Sequence, residues 1–454
     1  MIMHKTIEIT KIVTEKDSIK YEIQDHTGMG LLKKEKVEAW VKYYNTEVFG
    51  FTTQNLPESI LVLPATFYLL PITWFYDVEL VIPSMDKTLS ESLENIYQAY
   101  SKIYGPFKPE WRGKVTAKNI IENKMFTNHY DNIVFFSGGV DAVHAGIDNP
   151  GARNILVTVP SIEVTFKHQS EKNYGKDFIK IKSQLIREFS NVSGSNWLMI
   201  TNNFLADVFN DKRIQNDLTN VFTLTSKAFY QDGWWGMKYL GNLLSSAPFA
   251  YAMGVSKLIM GSTFEPLEDK PSSNMDGANP ELSNSIKFSG ITFAEQDGLL
   301  TRRSKKVQNI ADWFNKRNVT TKLWACSSDK PEQCSKCLKC IRTQLNLLCA
   351  KQNPKNWGFA NFNEKRFNSL IRNYEYNEKN LCWLWDIIDS IDNNVTYPYC
   401  NDTLHWMKAL GYKEYNRKVL KSRKQKKYLR IFKIHKYPYY IKRIFCKVFP
   451  KHEF

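Results

Sequence analysis

The chain has 454 residues, 43% of them hydrophobic and 24% charged, the balance of an ordinary globular protein long enough for two or three domains around a large core. Its eight cysteines are too sparse for a disulfide scaffold, and four crowd between Cys326 and Cys340, which points to a metal group in a reducing compartment. The net charge of +16 suggests a nucleic-acid binder until it is mapped: Tyr415 to Phe454 holds fourteen Lys or Arg against Glu453 alone, so +13 belongs to the tail and the body is near neutral.

Met1 to Thr10 has neither an apolar core nor a small-residue cleavage site, so no export signal is expected and the chain is placed in the cytoplasm. Alternation such as Ile7-Glu8-Ile9-Thr10 and Tyr21-Glu22-Ile23 predicts strands in the first fifty residues. Ile60 to Tyr76 is the most apolar stretch. Pro64 and Pro71 interrupt it, and it is expected to form two buried strands, or a strand and a turn, rather than a membrane span. Leu93, Ile96, Ala99 and Tyr100 give Ser90 to Tyr104 a helical period.

From Asn132 onward, apolar runs alternate with helical stretches. Strands are expected at Ile133–Phe136, Ile155–Val159, Trp197–Thr201 and Lys257–Met260, with helices at Ile179–Ser190 and Gly241–Met253. This alternation predicts an α/β fold, a doubly wound parallel sheet with ligands bound beyond the carboxyl ends of its strands. Residues 262–300, rich in Ser, Asn, Pro and Asp, are expected to be a long functional loop, and Glu265, Asp269, Asp276, Glu281 and Ser283 to wall a substrate site. A helix is expected at Val307–Phe314, and a helical C-terminal part at Phe367–Leu370 and Trp383–Ile391. The expected organisation is an N-terminal α+β region at 1–115, a nucleotide domain at 116–350, a helical region at 351–414 and a basic tail at 415–454.

Two motifs carry chemistry. Ser137-Gly138-Gly139-Val140-Asp141 lies between a strand and a helix, where two glycines let the backbone turn its N–H groups and the helix its positive end onto an anion. A plain Gly-Gly turn is the bland alternative. Ser137 adds a hydroxyl, and Asp141 can orient the loop or meet Mg²⁺ through water. Cys326, Cys334, Cys337 and Cys340, spaced C-x7-C-x2-C-x2-C, can surround a tetrahedral ion with no open position, as in structural Zn²⁺ sites. An iron–sulfur cluster is the rival.

The loop Ser137 to Asp141 resembles the SGGxD(S/T) loop of the PP-loop ATP pyrophosphatases, an adenine-nucleotide α-hydrolase-like group. The cysteine motif after it, in the same order and at similar separation, resembles that of the 7-cyano-7-deazaguanine synthase branch. The likeness covers residues of about 130–345, continues weakly through 50–115 and fades elsewhere. It implies a HUP-type sheet and cleavage of ATP to AMP and pyrophosphate. It also implies ATP-binding at Ser137, Gly138, Gly139, Val140 and Asp141, and a basic residue after Asp297 that reaches the phosphates. Of the cations there, Arg302 and Lys305, three apart and able to share a helical face, are the expected catalytic pair beside Asp141. Asp297 would hold Mg²⁺ or cap the turn. Ala142 stands where the family has Ser or Thr, which removes one hydroxyl but no backbone donor.

The expected function is adenylation of a carboxylate, on a small molecule, sugar acid or peptide, followed by attack of ammonia or an amine from solution or a partner. Two alternatives stay open: a tRNA- or nucleic-acid-modifying protein docked by its tail, and a nucleotide-binding module without turnover. The tail interleaves basic residues with Tyr428, Phe432, Tyr437, Phe445 and Phe449, a pattern suited to RNA or an anionic membrane.

Overall fold

The computed structural model describes residues 5–104, 113–124, 129–160, 174–220, 239–262, 279–290, 292–326, 332–373 and 381–411, with 414, 415 and 417. The first three strands, β1 (Thr6–Thr14), β2 (Ser18–Asp25) and β3 (Lys36–Tyr44), form an antiparallel meander. Their alternating residues, among them Ile7, Ile9, Ile19, Tyr21, Ile23, Val37, Ala39, Val41 and Tyr43, are buried, the period-two pattern of a sheet with one packed face. β4 (Glu79–Asp86) and β5 (Lys114–Ile121) extend it in parallel beyond β1.

The second part is built from β6 (Asn132–Phe135), β7 (Asn154–Thr158), β8 (Asn196–Asn202), β9 (Lys257–Gly261), β10 (Lys287–Phe288) and β11 (Thr292–Asp297). β3 pairs antiparallel with β8 through Val41–Asn202 to Tyr44–Met199, and this seam joins both parts into one eleven-stranded sheet among the described residues. The expected boundary at 115/116 falls inside β5, and no break in the sheet accompanies it.

Across the parallel portion the order is β8-β7-β6-β9-β11, all neighbours parallel. Numbered along the chain these strands run third, second, first, fourth, fifth, the order of a doubly wound sheet, and the order reverses between β6 and β9. Alternate residues serve opposite layers. Ile133, Ile155, Val157, Leu258 and Met260 join one core, whereas Val134, Leu156 and Ile259 join the other. The first core takes the helix Leu63–Tyr76 and the short helices Tyr239–Leu244 and Ala247–Ala252. The second takes helices Val140–Asp148, Arg303–Arg317 and Leu338–Cys349 and the C-terminal helices Glu364–Asn373 and Leu381–Ser390.

Two expectations are corrected. Residues 63–76 form a helix, not strands: Pro64 sits in its first turn, where no N–H is needed, and only Pro71 lies inside. Every residue from Leu63 to Phe75 is buried, so no polar face exists to reveal the helical period. The stretch 262–300 is not simply a loop, because β10 and β11 close its sheet edge. The polar run Thr292–Asp297 hides its strand character because most of its described residues are only half-buried. Glu265, Asp269 and Asp276 lie outside the described residues, as does the tail from 418 onward. Among the described residues no helix is long and apolar enough to cross a membrane.

Candidate functional site

The Ser137–Asp141 loop leaves the carboxyl end of β6 at the point where the strand order reverses. Gly138 adopts φ +82°, a left-handed geometry that glycine takes at little cost, and Gly139 caps the helix Val140–Asp148. The first turn of that helix leaves its amides without intrahelical acceptors, and its dipole presents positive charge to the same place. Gly139 N–H donates to Ser137 Oγ at 3.3 Å, so the serine hydroxyl closes the loop from within. Lys182, from the helix Tyr174–Ser193, donates to the Ser137 carbonyl at 2.6 Å. The Trp324 amide donates to the Gly138 carbonyl at 2.6 Å, and a side chain at 138 would press on Trp324 Cβ. Across the reversal, β9 ends in Gly261, where any Cβ would collide with the Asp141 backbone. Ala142 is buried in the second core, so its methyl group serves packing.

Asp141 is the anionic centre of a buried charge cluster. Arg303 Nη2 donates to its Oδ2, and Lys306 Nζ lies 3.4 Å from Oδ1 while also donating to the Ser262 carbonyl. The side chains of Asp141, Arg303 and Lys306 are 15%, 8% and 1% exposed, little enough for their charges to act through protein rather than water. Burial raises the Asp141 carboxyl, but the charges of Arg303, Lys306 and Arg342 outweigh it and hold the group below the ordinary carboxylate range.

Arg302 and Lys305 are not part of this cluster. Arg302 pairs with Asp389 at 2.5 Å and stacks on Trp385 at 4.5 Å, and Lys305 is exposed. Arg303 and Lys306, also three apart, are the cations of this helix that meet Asp141. The signal was present: Phe314, Ile310 and Val307 mark the core stripe of this helix, and one more turn back is Arg303. Of the expected substrate-wall residues, Ser283 is buried, and Glu281 pairs with Lys102 at 2.7 Å beside an open polar groove of 850 Å³. None of the residues from Ser137 to Asp141 lines that groove.

A second titratable group sits one turn along the same helix. His144 Nδ1 lies 3.1 Å from Asp148 Oδ2 and 3.3 Å from Asp297 Oδ1, and its Nε2 lies 3.2 Å from Asn309 Nδ2. Burial works against the imidazolium, but hydrogen bonds to Asp148 and Asp297, with their charges, push its pKa up to about 9.

The four cysteines form one group, each sulfur within 4.8 Å of the others. Cys334 Sγ lies 3.8 Å from Cys340 Sγ, close to the about 3.8 Å that a tetrahedral ion with metal–sulfur bonds of about 2.3 Å requires. The Cys334 amide points at Cys326 Sγ (3.4 Å) and the Cys337 amide at Cys334 Sγ (3.3 Å), donors that favour thiolates. Sulfur neighbours Cys326 and Cys337, together with burial, push the Cys340 thiol up, so a cation is needed before the group can ionise together. The residues fit a single ion such as zinc. Buried Gln333 binds the Ala325 and Cys326 amides and the Leu323 and Gly358 carbonyls, which fixes the segment running from the cysteines to Trp324.

No protein-family model matches the chain, and no curated protein or solved structure matches it either. The class is therefore the one geometry defines: an α/β protein with the strand order of a doubly wound sheet, a glycine loop at its switch point, and a four-cysteine group whose chain segment reaches that loop through Trp324.

Proposed function

We propose that the chain is an AMP-forming, ATP-dependent ligase of the PP-loop type, related in its chemistry to the 7-cyano-7-deazaguanine synthase branch. One observation carries this: the Ser137–Asp141 loop lies at the topological switch point with the buried cations Arg303 and Lys306 against it. ATP is the substrate. The loop amides and helix terminus favour its phosphate oxygens, and Arg303 and Lys306 oppose the charge that develops on the leaving pyrophosphate. Such charge-assisted contacts are each worth about 1.5–3 kcal/mol, enough together for useful discrimination of the transition state.

Asp141 is the residue suited to hold Mg²⁺, which would neutralise phosphate charge when bound. Cys326, Cys334, Cys337 and Cys340 would hold Zn²⁺ in a structural role, since four thiolates leave it no open position. The acceptor is a carboxylate on a small molecule, sugar acid or peptide, and ammonia or an amine displaces AMP.

The test is nucleotide chromatography after incubation with ATP, Mg²⁺, ammonia and a panel of carboxylic acids. AMP and pyrophosphate in equal amounts are expected. ADP and phosphate as products, or failure to bind a non-hydrolysable ATP analogue, would overturn the assignment. A second, polyanion-binding role rests on the +13 charge of residues 415–454, with RNA ahead of an anionic membrane. Deleting those residues is expected to abolish retention on heparin at low salt and to leave ATP binding intact.

A further inference from the structure

The group at His144 has more than a charge balance to explain. Two ligand types converge on one point from separate elements: His144 and Asp148, four apart on one helix face, and Asp297 at the carboxyl end of β11. The separations from Nδ1 to the two carboxylates, 3.1 and 3.3 Å, match adjacent ligands around one ion, because metal–ligand bonds of about 2.1 Å at right angles place their atoms about 3.0 Å apart.

His144 and Asp297 are each also held from behind. Asn309 faces the other ring nitrogen of His144, and Asn149 Nδ2 donates to Asp297 Oδ2 at 3.2 Å. This leaves Nδ1 and Asp297 Oδ1 turned toward each other, the outer-shell arrangement that orients metal ligands. The backbone approaches Nδ1 closely at Gly298, where a Cβ would come within 3.3 Å of Nδ1, 2.9 Å of Lys306 Cε and 3.3 Å of Lys306 Nζ. Lys306 spends its ammonium on Ser262 and Asp141. Asp148, 43% exposed, opens the group to solvent, so an ion would reach it and keep water on its remaining positions.

We propose that His144, Asp148 and Asp297 form a binding site for an exchangeable divalent first-row cation, separate from the four-cysteine group and one helical turn from Asp141. One imidazole and two carboxylates suit Mn²⁺ and its neighbours, whereas the thiolate group selects softer ions. The site needs no nucleotide, so it stands or falls apart from the proposed ligase activity.

The experiment is a titration of the full-length protein with Mn²⁺ alone, without nucleotide, followed by electron paramagnetic resonance and by NMR of labelled histidines. Saturable binding of one Mn²⁺ per chain, with broadening centred on the His144 signal, is the expected result. His144→Gln identifies that signal and should lose the site. Asp148→Asn, at an exposed helix end where folding is not at risk, should weaken Mn²⁺ by about tenfold or more. Absence of saturable binding, broadening centred on other histidines, or unchanged affinity in Asp148→Asn with native-like melting would each overturn the proposal.

Discussion

Asp386 caps the start of the helix that carries Arg303 and Lys306: its Oδ2 accepts from the Ser304 amide at 2.9 Å and its Oδ1 from the Ser304 hydroxyl at 2.7 Å. The helix cannot cap itself, because Arg302 occupies the N-cap position and offers no acceptor. A carboxylate from the helix Leu381–Ser390, some eighty residues on, therefore satisfies an amide of the first turn and complements its dipole. Replacing Asp386 by Ala is expected to cost about 1–2 kcal/mol in urea unfolding, the usual worth of a cap. An unchanged midpoint would mean that the contact contributes nothing in solution.

The helical register of the cations can be read out by substitution. Arg303→Met and Lys306→Met should each weaken a non-hydrolysable ATP analogue by about tenfold or more, since each removes a charge-assisted contact of about 1.5–3 kcal/mol. Lys305→Met, on the exposed face, should leave the affinity unchanged. Calorimetry giving the reverse order would return the site to the face of Arg302 and Lys305.

His144 makes stability depend on pH in a definite sense. Its folded-state pKa is raised from 6.5 to about 9, so the stabilisation it gives is complete below pH 6.5 and disappears as pH rises through about 9. Without added divalent cation, His144→Gln should therefore cost more at pH 6.5 than at pH 9. Equal penalties by chemical denaturation at both pH values would show that the imidazole is not clamped as a cation by Asp148 and Asp297.

Metal analysis bears on the cysteine group. One zinc per chain with little iron is expected, and Cys337→Ser should release it and lower stability, because metal binding and folding are linked. The loss should reach the loop, since the Gln333-bound segment delivers the Trp324 amide to Gly138. Hydrogen exchange at Trp324 should rise in that variant. A brown protein containing iron and sulfide would assign the group to a cluster instead.

Local chemistry made much of this molecule legible from sequence. An apolar run ending in Ser137-Gly138-Gly139 is a strand entering a tight glycine turn and then a helix whatever surrounds it, because the glycines and the following residues act within a few positions. The cysteine spacing likewise confines four sulfurs to a small volume, and the β6, β7, β8 and β9 segments announce themselves as buried strands. What depended on packing was not legible. The helix Leu63–Tyr76 is buried on every side, which erases the period by which helices are recognised. That Arg303 and Lys306, rather than Arg302 and Lys305, meet Asp141 is one residue of rotation, set by which face of the helix meets the second core. The seam between β3 and β8, the Asp386 cap, the Trp324 contact and the meeting of His144 with Asp297 join residues 82 to 186 positions apart. Sequence fixes the chemistry each such residue can offer, but only the packed sheet and its two helical layers bring the partners within bonding distance.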